Sequence, residues 1–289
     1  MAGRACHVVG SATHVGLTQA LTAMRRIIAL LVVMTLVAGC ADHRERNDAN
    51  CRDIGELPGG NLFLFGEMHG SVEAPALVAA MACHLSFSED VAIGLEIPTD
   101  EQPRIDQYLA SAGTKSDEAR LVATTFWRNG NDGRTSGAML DLFREIRALK
   151  AGGRSVEVFA FDAEVAGSED RDKAMASSIR RYRSQHPSRT IVALMGNIHA
   201  MQEEFVAEDF TMTPAGQLLR DLSPISILIA YPKGTVWACM PDCGVHNVAP
   251  RNPNHGASGF REGASLTGYS HTYFLDSITA SPPAASGVQ

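Results

Sequence analysis

Two histidines in this chain follow an apolar run at the same distance from a glycine. Leu62 to Phe65 is one run, and Gly66, Glu67, Met68 and His69 come directly after it. Ile191 to Met195 is the other, followed by Gly196, Asn197, Ile198 and His199. Both read Gly-x-x-His. Two more apolar runs stop at an acid, Val91 to Leu95 at Glu96 and Ser155 to Phe161 at Asp162. Brought together, these groups can do two kinds of chemistry. His69, His199 and Glu67 can hold a divalent transition metal and lower the pKa of its water. Alternatively a histidine takes a proton from water while a carboxylate orients it, with no metal at all. The residue types leave both routes open.

The elements that would position these groups are strands. Short apolar runs are strand signals, and they occur at 61–66, 91–95, 155–161 and 190–195, the first and last ended by glycine. Helical spacing of apolar residues fills the intervals: Val72 to Leu85 with Pro75 in the first turn, about 101–111 with Ile105, Tyr108 and Leu109 on one face, and about 169–184. The stretch 117–150 also reads as helical, broken by a polar segment from Trp127 to Ser136. That segment carries Arg128, Asp132 and Arg134 and is either a substrate loop over the site or a solvated turn. Further on, 213–222 reads as a short helix, 225–231 as a fifth strand and 235–240 as a sixth. The stretch 241–268 reads mostly as loop, and 273–275 as a last edge strand.

Strands alternating with helices predict an α/β fold, a mainly parallel sheet with helices on both faces. In such a sheet the C-terminal strand ends share one edge, where ligands bind. The expected site is therefore Glu67, His69, Glu96, Asp162, Asn197 and His199, with Arg134 of the polar segment as a further pocket residue. There is no Gly-x-Ser-x-Gly, no helical His-Glu-x-x-His and no Gly-x-Gly-x-x-Gly, which argues against a serine hydrolase, a zincin and a dinucleotide fold.

The composition is globular, 45% hydrophobic and 20% charged, and the net charge of −7 argues against nucleic acid as a partner. The N-terminus reads as a targeting segment. Arg25 and Arg26 precede the apolar run Ile27 to Ala38, then Gly39 and Cys40. Leu36-Val-Ala-Gly-Cys40 resembles a bacterial lipobox, with Cys40 as the lipidated residue; an ordinary secretory signal is the alternative, and Met24 is a candidate start. Cleavage there removes Arg4, Arg25 and Arg26 but no acid, so the membrane partner is reached through the lipid anchor rather than a basic patch. Ala41 after Cys40 fits sorting to an outer membrane, facing the periplasm. The expected layout is a signal peptide at 1–39, a tether at 40–59, one domain at 60–278 and a disordered tail at 279–289. In an oxidising envelope Cys51, Cys83, Cys239 and Cys243 predict two disulfides, Cys51 with Cys83 and Cys239 with Cys243; a zinc site from these four is the rival.

These motifs together resemble a known superfamily. Paired Gly-x-x-His, the first as Gly-Glu-x-His, and Leu95-Glu96 after the second strand look like the group joining erythromycin esterases, Tiki/TraB-type proteases and ChaN-like haem-binding lipoproteins. Arg171-Asp172-x-x-Met175-Ala176 is similar to the Arg-Asp-x-x-Met-Ala stretch of the erythromycin esterases. The esterases carry one more residue between Glu and His than this chain does. The resemblance implies that Glu67, His69, Glu96 and His199 serve catalysis or metal, and that Arg171 supports a carboxylate or binds substrate. It leaves two functions: a hydrolase of an ester or amide in a small-molecule or peptide substrate, or a haem- or metal-binding lipoprotein in iron uptake, without turnover.

Overall fold

A computed structural model describes residues 51–163, 168–251, 257–263 and 268–286, with a compact unit beginning at Arg52. The signal segment, Cys40 and Glu164 lie outside the described residues. The chain runs β1 (Leu62–Glu67), α1 (Glu73–Leu85), β2 (Val91–Pro98), α2 (Gln102–Leu109), α3 (Lys115–Leu121), α4 (Thr125–Asn129), α5 (Gly137–Ala151) and β3 (Val156–Asp162). It continues through α6 (Ser168–Gln185), β4 (Thr190–Gly196), β5 (Phe205–Ala207), β6 (Phe210–Met212), α7 (Ala215–Leu218) and β7 (Ile225–Ala230). The last described elements are β8 (Thr235–Cys239), β9 (Cys243–Asn247), β10 (Gly259–Glu262) and β11 (His271–Phe274).

Among the described residues seven strands form one sheet in the order β10-β11-β7-β1-β4-β2-β3. Every neighbouring pair is parallel except β10 with β11. The two Gly-x-x-His strands are adjacent, with Glu67 opposite Gly196 in register. β2 and β3 follow on the same side, so the ends carrying His69, His199, Glu96 and Asp162 form one continuous edge. All six residues of β1 are buried, as expected for a central strand covered on both faces.

Strand alternation divides the core into two layers. Phe63, Phe65, Ile93, Leu95, Val192 and Leu194 face α1, α2 and α5. Leu62, Leu64, Ala92, Ile191, Ala193 and Met195 face α6, through Met175, Ala176 and Ile179, and α7. α5 starts where Ser136 Oγ accepts from the Met139 amide at 3.3 Å, a side-chain N-cap.

Several expectations change. The polar segment after Trp127 is not merely a solvated turn, since Asp132 and Arg134 line a cavity at the strand ends. Trp127 is fully buried and packs edge-on against Phe143 of α5, anchoring the loop that carries Arg134. Trp127→Ala should therefore destabilise the fold by about 3–5 kcal/mol, a large-to-small core loss, measured as a fall in denaturant midpoint at unchanged slope.

β11 is not an edge strand, because β10 pairs outside it. β8 does not join the sheet; it pairs with β9 in a separate antiparallel ribbon closed by the expected Cys239–Cys243 disulfide. Cys51 and Cys83 are each disulfide-bonded as well. The tail is not free through residue 286: Ser281 is buried and its Oγ accepts from Ala138 N at 2.9 Å, capping the same helix as Ser136. Ile54 is buried in the larger core layer, so chain expected as tether already packs on the body. No helix among the described residues is long and apolar enough to cross a membrane.

Candidate active site

Glu67 is the last residue of β1, and its Oε1 sits 2.9 Å from His69 Nδ1. On the other side of the ring, His69 Nε2 faces Glu96 Oε2 at 3.5 Å. Burial opposes a charged ring here, but the Glu96 and Glu67 carboxylates outweigh it and push the imidazole up to about 10. His69 is therefore an imidazolium at neutral pH, donating at both nitrogens.

Glu96 is fully engaged. Its Oε1 accepts from Arg171 Nη2 at 2.5 Å and its Oε2 from the Gly196 amide at 2.7 Å. Burial works against its ionisation, yet the charges of His69 and Arg171 hold it well below the usual carboxylate range. Asp162 is shared between two guanidinium groups: Arg171 Nε at 2.9 Å and Nη2 at 2.8 Å, and Arg134 Nη1 at 2.7 Å. Arg134 is held in turn by Asp132 at 2.8 Å. The loop's other arginine, Arg128, turns away and donates to Ala123 O at 2.6 Å.

The second histidine differs in kind. His199 Nδ1 lies 2.9 and 3.0 Å from the two oxygens of Asp172. Asp172 is fully buried and also accepts from Ala215 N at 2.7 Å. His199 Nε2 lies 3.2 Å from Arg171 Nη1. A guanidinium can only donate, so Nε2 is the acceptor, and the ring proton is assigned to Nδ1, toward Asp172. A lone pair on a carboxylate-backed imidazole is the usual equipment of a general base.

Gly196 explains why glycine precedes the second motif. A Cβ there would stand 3.2 Å from His69 Nε2, 3.3 Å from His199 Cδ2 and 3.6 Å from Glu96 Oε2. Glycine thus lets both rings close on one point. Gly133, at φ +91°, plays a similar part in the Arg134 loop, since a side chain there would collide with the backbone of His69 and Gly70. The result is a cavity of about 210 Å3, lined by His69, Glu96, Arg134, Arg171 and His199, with Asn197 at its rim. Asn197 also ties the two central strands, its amide donating to Glu67 O at 2.9 Å.

Every residue expected at the site is thus at or beside one cavity. The member missed is Asp172. It lay inside the Arg-Asp-x-x-Met-Ala stretch, but nothing local connects a helical aspartate to a histidine beyond the end of β4. The donor set does not fit a divalent metal. Apart from Glu67 Oε2, which is buried and unbonded, the His and carboxylate atoms around the cavity already have protein partners, and two guanidinium groups supply the positive charge a metal would bring. Among the described residues no group of three or more His, Cys, Asp or Glu is placed to hold an ion. Haem fits no better, because a macrocycle needs an apolar slot and this lining is charged.

If His69 is an imidazolium tied to two carboxylates, its titration will show it. Its folded pKa lies above the unfolded value, so its contribution to stability is full below about pH 6.5 and is lost as pH rises through about 10. The Cε1–H proton resonance of His69 should keep its imidazolium position to about pH 9. A midpoint near the ordinary histidine value would contradict the ion-pair geometry.

No protein-family model matches this chain, and no curated protein does. Solved structures do match. One is an erythromycin esterase mutant, EreC, in its open conformation, with TM-score 0.54 at 12% identity over 78% of this chain and 92% of that one. Others are a Bacillus cereus protein, TM-score 0.49 at 12% identity over 78% and 90%, and a succinoglycan biosynthesis protein, TM-score 0.49 at 8% identity over 77% and 90%. At such identity the likeness to the esterase is one of fold. It agrees with the α/β fold expected from the sequence.

Proposed function

We propose that this chain is a metal-independent hydrolase of carboxylic esters or amides, held at the bacterial cell envelope by a lipid on Cys40. The observation that carries the reading is the pairing of unlike histidines over one cavity. His199 offers a lone pair backed by buried Asp172, and His69 stands opposite as a fixed cation. The fold shared with an erythromycin esterase supports the reaction class.

In the resting site the His199 lone pair rests on Arg171 Nη1. A water entering the cavity takes that place, donating to His199 Nε2 while accepting from the guanidinium. As its oxygen attacks the substrate carbonyl, one proton passes to Nε2 and Asp172 steadies the imidazolium that forms. The carbonyl π electrons move onto oxygen, where Arg134, Arg171 and His69 supply preorganised positive charge. Collapse of the tetrahedral intermediate breaks the bond to the alcohol or amine, which leaves with the proton from His199. Glu67, Glu96 and Asp162 act as positioning residues: they fix His69 and the two guanidinium groups and do not touch the reacting carbon.

The test is turnover of p-nitrophenyl esters of increasing acyl length and of amino-acyl p-nitroanilides by the purified protein. Turnover of either series well above the uncatalysed rate is expected. Hydrolysis of none of them would overturn the assignment.

A further inference from the structure

A second, larger cleft of about 740 Å3 adjoins the catalytic cavity, and Asp132 and Arg134 line both. Its size falls within the roughly 300–1,000 Å3 typical of small-molecule sites. The rest of its wall includes Asp100, Glu101, Arg104, Phe126, Asn129 and Asn131, with two threonines, Gly130 and Pro98 between them. This lining is rich in oxygen acceptors and side-chain amides and poor in apolar surface. A fatty acyl chain would find only Phe126 and Pro98. Its three carboxylates, Asp100, Glu101 and Asp132, outnumber its two guanidinium groups, Arg104 and Arg134, so the lining offers an anion no net positive charge.

Glu101 singles out the ligand chemistry. It is 6% exposed, and its Oε2 is buried with no hydrogen-bond partner. Burial also pushes its carboxyl up from the usual range. Buried polar atoms in folded proteins are nearly always bonded, so an unbonded oxygen lining a cleft marks where a ligand's polar group belongs. Carboxylates accept hydrogen bonds and side-chain amides both donate and accept them, the combination that suits hydroxyl groups. The Phe126 ring adds a flat apolar face for a C–H surface.

We propose that this cleft holds a sugar ring of the substrate, with a hydroxyl on Glu101 Oε2 and the acyl ester reaching past Arg134 into the catalytic cavity. This rests on the hydrolase reading above. The enzyme then removes acyl groups from carbohydrate: water and the O-acyl sugar give the free sugar hydroxyl and a carboxylic acid.

Two measurements separate the proposal from the reading it rests on. The first is saturation-transfer NMR with methyl glucopyranoside, methyl galactopyranoside and methyl N-acetylglucosaminide, none of which can be hydrolysed at an ester. Transfer from at least one is expected, and weaker transfer with Glu101→Gln and with Asn129→Ala. Asn129 is exposed, so that second variant keeps the test valid if Glu101→Gln misfolds. The second is the ratio of kcat/KM for methyl 6-O-acetylglucopyranoside to that for 2-methoxyethyl acetate. That ratio should favour the sugar ester and fall about tenfold in Glu101→Gln, the size expected for one hydrogen bond to a carboxylate. Sugar transfer without ester turnover would uphold the cleft and sink the hydrolase. Turnover of simple esters with no sugar transfer and no preference for the sugar ester would overturn the cleft alone.

Discussion

His199→Ala is expected to lower kcat for ester hydrolysis by about 10²–10⁴-fold, the range that a positioned general base supplies. The fold should survive, because the ring lies at the cavity rim and not in either core layer. Asp172→Asn is expected to lose activity on the same scale for a different reason. The asparagine oxygen can still accept from Ala215 N, now at 2.7 Å from Asp172 Oδ1. Its amide then faces His199 Nδ1 and donates to it, driving the ring proton to Nε2. The base keeps its place and loses its lone pair, as in the tautomer effect known from catalytic triads. Both variants should be compared with wild type by initial rates, with circular dichroism to confirm folding. An Asp172→Asn variant with normal kcat would mean that His199 does not act through Nε2.

A large effect on stability is expected at Arg171. Its guanidinium bridges Glu96 and Asp162, which are both buried, and reaches His199 as well. Removing one partner of a buried pair typically costs about 3–5 kcal/mol, because the charge left behind cannot return to water. Arg171→Ala should sit in that range, and Arg171→Lys should recover only part, since an ammonium cannot fork across two carboxylates. The deficit carries a pH signature. Arg171 helps to depress Glu96 in the folded protein, and such a group stabilises above its unfolded pKa and loses that effect as pH falls. The gap between wild type and Arg171→Ala should therefore be widest near neutrality and narrow below about pH 4. Denaturant unfolding at several pH values reads this directly. A gap independent of pH would place the cost in lost packing instead.

Much of the architecture was legible because its strands are central. A strand buried on both faces must be apolar along its whole length, so Leu62 to Phe65 and Ile191 to Met195 stand out, and the first polar residue after each marks the sheet edge. The expected helices opposite the sheet held for the same reason: α2 buries Ile105, Tyr108 and Leu109, the face read from spacing. What stayed hidden lacks that constraint. β8 was read as a strand but not its pairing, since with β9 it forms a half-exposed ribbon of five residues each, and β5 and β6 are three residues apiece, too short for a period-2 pattern. Residues 281–286 look like tail because proline, alanine and serine carry little hydrophobic signal. Their fixing comes from backbone bonds to distant chain, such as Ala284 N to Thr135 O at 2.8 Å. Arg171 and Asp172 show the same limit at the site. Neighbours on one helix turn, they serve different groups, one bridging carboxylates of β2 and β3 and the other backing a histidine after β4. Only the sheet order, with β4 between β1 and β2, brings these partners together.

The most direct test of the central claim is the ester-hydrolysis rate of wild type after exhaustive dialysis against a chelator, with His199→Ala assayed beside it. A base-driven, metal-independent site predicts an unchanged rate in the dialysed wild type and the loss of about 10²–10⁴-fold in the variant. Activity that disappears with the chelator, returns on adding a divalent metal and tolerates His199→Ala would contradict it.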